Sequence, residues 1–168
     1  DAGSYTVIAT YAGDANHTSS TGNSSFVIGK ATPTITWANP AAITFGTALG
    51  STQLNASANT PGTFAYTPTA GTVLNAGTSQ TLSVTFTPTD TADYSSVTAS
   101  VTINVNPVPL TIPADNKTMT YAGPLPTLTA SYSGFVNGDG AGSLTTPPAL
   151  ATTATAASHV GTYPITAG

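Results

Sequence analysis

The sequence predicts an all-β protein of antiparallel β-sandwiches in tandem, arranged as a rod. Three observations predict it. Apolar and hydroxylated residues alternate with a period of two along several short segments, which places each apolar set on one face of a pleated strand. The best helix formers are scarce: the chain has no Glu and no Arg, and only 2 Lys. Thr, Val, Ile and Tyr, abundant instead, favour strands. Finally, the same segments return later in the chain, and recurrence at domain length points to repeated modules.

The clearest segment is Thr81 to Val105. Leu82, Val84 and Phe86 alternate with hydroxyl residues. So do Val97, Ala99, Val101, Ile103 and Val105, with Asn104 among their polar neighbours. Between them lies TPTDTADYSS, whose Pro88, Asp90 and Asp93 are turn formers. Two strands joined by a turn follow. Ser4 to Ile28 repeats the design: Tyr5, Val7, Ala9 and Tyr11 form one strand, GDANHTSS the turn, and Phe26 and Ile28 close the second strand. Ile28 and Val105 are equivalent ends, 77 residues apart, a spacing that suits a sandwich array. In this alignment His17 takes the place of Tyr94.

Each hairpin is followed by a proline connector and a new strand. Gly29 to Pro33 leads into Thr34 to Trp37, and Asn106 to Pro109 into Leu110 to Ile112. Proline fixes its own φ and restricts its predecessor, so both connectors read as stiff and extended. A second echo sets Ile43 to Ala58 against Met119 to Tyr132, with Met119 opposite Ile43, Tyr121 opposite Phe45 and Leu125 opposite Leu49. A third sets Gly3-Ser4-Tyr5 against Gly161-Thr162-Tyr163. A Gly-x-Tyr before a late strand is the mark of a tyrosine corner; the middle unit carries Gly77-Thr78-Ser79 and lacks it.

Composition excludes several functions. Charged residues make up 5% of the chain and the net charge is −4, so no basic patch exists to neutralise phosphates, and nucleic-acid binding is excluded. No run of about 18 apolar residues exists to span a membrane as a helix. Zero Cys removes disulfide-stapled folds. Solubility rests on Ser, Thr and Asn side chains, and weak charge favours association between copies.

The spacing divides the chain into a C-terminal hairpin of a preceding domain (1–29), a complete domain of about seven strands (30–106), and a further domain lacking its last strand or strands (107–168). The middle segment, with ATPTITWANPAAITFGTALGSTQLNASA and VLNAGTSQTLSVTFTPTDTADYSSVTASVTINV, resembles the bacterial Ig-like (Big-type) repeats of large surface proteins. LTIPADNKTMTYAGPLPTLTASYSGFVNGDGAGSLTTPPAL through VGTYPITAG resembles the MBG-type, mostly bacterial Ig-like, domain. The resemblance implies Ig-like sandwiches, an extracellular or cell-surface location, and a stalk, fibre or adhesin context. It brings no catalytic residues and no cofactor. The expected partners are neighbouring repeats of the same or identical chains, including a homopolymer formed by strand complementation.

No constellation points to an enzyme. His17 and His159 are the only imidazoles and fall in different domains, so neither a zinc site nor a Ser-His-Asp triad is indicated. Asp90 and Asp93, or Asp14 with Asn16, are weak candidates for a hard-oxygen calcium site; turn capping is the simpler reading of each. Lys30 and Lys117 read as solvated rather than as partners in a Lys–Asn or Lys–Asp crosslink. Asn16, Asn23, Asn55 and Asn116 head Asn-x-Ser/Thr sequons and are weak glycosylation candidates. Trp37, with Phe64, Tyr66 and Tyr94, offers a sugar-stacking face for the adhesin alternative. Its spacing from Ile35 assigns it instead to the core.

Overall fold

The computed structural model describes residues 1–168 and contains strands, turns and one short 3-10 segment, with no α-helix. Ten strands form: β1 (Gly3–Tyr11), β2 (Ser20–Ile28), β3 (Ile35–Thr36), β4 (Ile43–Thr44), β5 (Ser57–Ala58), β6 (Gly62–Thr67), β7 (Gly77–Pro88), β8 (Val97–Asn106), β9 (Leu150–Thr152) and β10 (Ile165–Ala167). The chain divides into two compact units, one of residues 1–43 and 47–105, the other of 44–46 and 106–168.

In the first unit the long hairpin β7–β8 forms the centre of a four-stranded sheet of order β4-β8-β7-β6. Leu82 faces Val101 and Phe86 faces Val97 across the antiparallel ladder. Their alternation produces the expected result. Leu82, Val84 and Phe86 are at most 1% exposed, and Val101, Ile103 and Val105 at most 7%. Full burial of such side chains is worth roughly 1.5–3 kcal/mol each. Leu49 joins Leu82, Val101 and Ile103, and Trp37, Ile43, Leu54 and Leu74 pack around them. Leu49 lies in no strand; its amide donates to the Thr72 carbonyl at 2.8 Å, and its carbonyl accepts from Gly71 N–H at 2.8 Å. β3 and β5 pair separately, Ile35 opposite Ala58. Between Gly77 and Gln80 the β7–β8 register shifts. Ser79 takes a positive φ of 53° there, and its amide is met by the Asn104 side chain at 2.8 Å. This bulge falls at the Gly77-Thr78-Ser79 segment, where the other two copies of the sequence echo carry Gly3-Ser4-Tyr5 and Gly161-Thr162-Tyr163.

β1 and β2 pair over their full length, Gly3 opposite Ile28 and Tyr11 opposite Ser20. They form a two-stranded sheet with every residue exposed. Tyr5 stacks on Phe26 with ring centroids 5.4 Å apart. The 77-residue equivalence does not extend to the pairing. The last pair of this hairpin, Tyr11–Ser20, encloses residues 12–19, whereas Phe86–Val97 encloses residues 87–96. Register is set by where each turn closes, which alternation alone does not encode.

The second unit is sparse in regular structure. β9 and β10 pair antiparallel, and single bridges join Thr111 to Ser133 and Ala114 to Ala130. Residues 119–121 form no strand, although their counterpart Ile43–Thr44 does. β4 exists because β8 lies beside it in the sheet. The second unit contains no such partner strand for residues 119–121, and a strand needs another backbone to receive its hydrogen bonds.

Candidate functional site

The two hairpin turns are built on aspartates. Asp90 Oδ1 accepts the amides of Ala92 at 3.0 Å and Asp93 at 3.1 Å, an Asx turn. Asp14 Oδ1 does the same for Asn16 and His17, both at 2.8 Å. By these bonds Asp14 corresponds to Asp90, and His17 to Asp93 rather than to Tyr94. Asp14 also takes the Tyr11 hydroxyl on Oδ2 at 2.6 Å and the His17 ring Nδ1 on Oδ1 at 2.9 Å. The Tyr11 hydroxyl first, then the Asn16 amide and the His17 ring, hold its carboxyl down to about 2. The same bond raises the Tyr11 phenol.

Asp93 faces a different donor from Asp90. Its Oδ1 accepts the backbone N–H of Ala2. The connector after β2 is fastened to the same turn: Ala31 N–H donates to the Asp93 carbonyl at 2.8 Å, Ser95 N–H to the Ala31 carbonyl at 2.9 Å, and Lys30 Nζ to the Thr91 carbonyl at 2.6 Å. Pro33 is buried. Nowhere do three or more His, Cys, Asp or Glu side chains gather.

A third carboxylate sits in the second unit. Asp115 accepts the hydroxyls of Thr129 at 2.5 Å and Ser131 at 2.6 Å. Those two bonds, Ser131 foremost, hold its carboxyl below the usual range, with a smaller contribution from the Lys117 charge. The signal was present in the sequence: Thr129 and Ser131 are two apart, so they share one face of an extended segment.

The aromatic residues form an inner ladder. Trp37 meets Tyr66 edge-on at 5.4 Å, and Phe64 lies 4.8 Å from Phe86. Trp37 Nε1 donates to the Gln53 carbonyl at 3.0 Å, and the Tyr66 hydroxyl accepts the Ala56 amide at 2.9 Å. Trp37 is half-buried against the core, as its spacing from Ile35 predicts. Tyr94 is apart from this ladder, beside Pro61 and Asp90. The sequon residues Asn16, Asn23, Asn55 and Asn116 are all exposed, and Asn55 Nδ2 donates to the Thr52 carbonyl at 3.2 Å.

The second unit contains an open cleft of about 350 Å³, lined by Met119, Tyr121, Leu125, Leu128, Val160 and Ile165 among others. Lys117 is the one Lys, Arg, Asp or Glu among its lining residues. On its wall stands the tyrosine corner: the Tyr163 hydroxyl donates to the His159 carbonyl at 3.0 Å. Tyr5 makes the same bond to the Asp1 carbonyl at 2.7 Å. The Gly-x-Tyr echo is therefore structural as well as sequential.

These features define an all-β segment. Residues 110–168 are matched by a family model described as MBG domain (YGX type), so the MBG-type resemblance holds for the last third of the chain. No curated protein and no solved structure matches the chain. No helix is long and apolar enough to cross a membrane.

Proposed function

We propose that this chain is part of an extracellular or cell-surface structural protein, in which tandem Ig-like sandwiches act as a stalk, a spacer or the body of a fibre. The observation that carries the reading is the fastening of residues 30–33. Three hydrogen bonds between Lys30 and Ala31 on one side and Thr91, Asp93 and Ser95 on the other, with Pro33 buried nearby, replace a free hinge by a docked connector. A spacer sets reach and direction, and a pinned proline connector limits bending. The MBG-type match of residues 110–168 supports a repeat context. An adhesin surface finds less support, because Trp37, Phe64 and Tyr66 spend their faces on one another and on the core.

The stiffness is measurable by pulsed dipolar spectroscopy with spin labels at two exposed positions, Ile8 and Thr98. The parent chain gives one narrow distance distribution. Ala31→Pro, which removes the N–H donated to Asp93, broadens it. A parent distribution as broad as that of the variant overturns the spacer reading.

A further inference from the structure

Asp93 receives both ends of the β1–β2 hairpin. Its carbonyl accepts the Ala31 N–H at 2.8 Å, and its side-chain Oδ1 accepts the Ala2 N–H from 91 residues away. Ala2 immediately precedes β1, and Ala31 follows the end of β2. Gly3 and Ile28 are paired, so these two amides flank the open end of the hairpin. Two strands are thereby fastened to one residue of the β7–β8 turn.

The turn itself does not need the Asp93 side chain. Asp90 Oδ1 accepts the Ala92 and Asp93 amides and shapes the turn. In the other hairpin turn His17 takes the place of Asp93, and its ring stays within that turn, on Asp14. The Asp93 carboxylate is instead directed at Ala2. That amide is presented by the tyrosine corner. The Tyr5 hydroxyl donates to the Asp1 carbonyl at 2.7 Å, and the Asp1 carbonyl and the Ala2 N–H belong to one planar peptide group. The group is therefore held at both poles, and a donor on its oxygen strengthens the bond made by its N–H.

One tether and two have different effects. The Lys30 and Ala31 bonds hold the exit from β2 and leave the hairpin free to rotate about that strand. A second bond, from the strand beside it, removes the rotation. β1 and β2 have nine residues each and extend about 30 Å, so angular freedom at the open end is magnified at the Asp14 turn. We propose that Asp93 is a torsional lock: by binding the Ala2 amide that the Tyr5 corner presents, its carboxylate fixes the rotation of the β1–β2 hairpin about the docked connector. The lock rests on the spacer reading and adds to it the residue that sets orientation.

The test is amide exchange and residual dipolar couplings of residues 1–168, for the parent, Asp93→Ala, Asp93→Asn and Tyr5→Phe. Unchanged β7–β8 amide shifts check that each variant keeps the fold. In the parent the β1–β2 and β7–β8 couplings fit one alignment tensor, and the Ala2 and Ala31 amides are both protected. Asp93→Ala speeds Ala2 exchange at least about tenfold and gives the hairpin a separate, weaker tensor. Ala31 stays protected in that variant, because its acceptor is backbone. Tyr5→Phe speeds Ala2 exchange in the same direction. Asn keeps an acceptor oxygen, so Asp93→Asn behaves as the parent. Asp93→Ala couplings that still fit the single parent tensor overturn the proposal, as does an Asp93→Asn chain that behaves like Asp93→Ala. An unprotected Ala2 beside a protected Ala31 in the parent overturns the lock alone, whereas an unprotected Ala31 overturns the spacer reading beneath it.

Discussion

The Tyr163 hydroxyl reaches four residues back to the His159 carbonyl, at 3.0 Å. It ties the segment before β10 to its own approach, as Tyr5, inside β1, ties that strand to Asp1 at 2.7 Å. A neutral hydrogen bond of this kind contributes about 0.5–1.5 kcal/mol. Tyr163→Phe keeps the ring and removes the bond, and lowers the stability of the second unit by that amount in urea titrations.

The core of the first unit is centred on Phe86, fully buried and in contact with Phe64. Phe86→Ala removes the ring and leaves a cavity, at a cost of about 3–5 kcal/mol. Chemical denaturation followed by Trp37 fluorescence measures it. Ile28→Ala, at the position equivalent to the buried Val105 but itself exposed, leaves the same transition unchanged in dilute solution.

Gly62 opens β6 directly under that ring. A Cβ there would stand 2.5 Å from Phe86 Cε2 and 2.5 Å from the Thr87 carbonyl oxygen. Overpacking of this kind costs about 1–3 kcal/mol. Gly62→Ala therefore lowers the unfolding midpoint, and Phe86→Leu in the same chain recovers part of the loss.

Ala122 holds φ at 61° in a turn closed by Gly123 N–H to the Thr120 carbonyl at 2.9 Å. Its counterpart is Gly46, at φ 91°. A side chain in the left-handed region is strained, while glycine enters it freely but loses more chain entropy on folding. The strain outweighs the entropy, and Ala122→Gly stabilises the second unit by about 0.5 kcal/mol in the same urea assay.

The hairpin turn depends on acid in a defined direction. Asp14 is depressed to about 2 in the folded chain, against an ordinary value near 3.9. A depressed carboxyl contributes stability above its unfolded value and loses it as pH falls through the folded one. The Asn16 and His17 amide resonances thus hold their positions down to about pH 4 and move as pH approaches 2. In Asp14→Asn that movement disappears.

Alternation and turn chemistry made much of this molecule legible. A strict period of two at 82–86 and 97–105 identifies which side chains enter a core, because successive residues of a strand must face opposite ways. Asp90 and Asp14 declare their turns because a short carboxylate reaches the amides two and three residues ahead. The paired Gly-x-Tyr segments announce the same corner twice.

Other features depend on partners distant in the sequence, and only the folded chain decides them. Leu49 and Leu125 occupy the same place in the repeat, yet one is sealed and the other wet, according to whether a hairpin lies above it. Residues 119–121 form no strand for the same reason, although their counterpart Ile43–Thr44 does, and the two hairpins close their registers around turns of different length. A residue pattern settles which face is oily; hydrogen bonds between separate segments settle whether a strand exists and what that face meets.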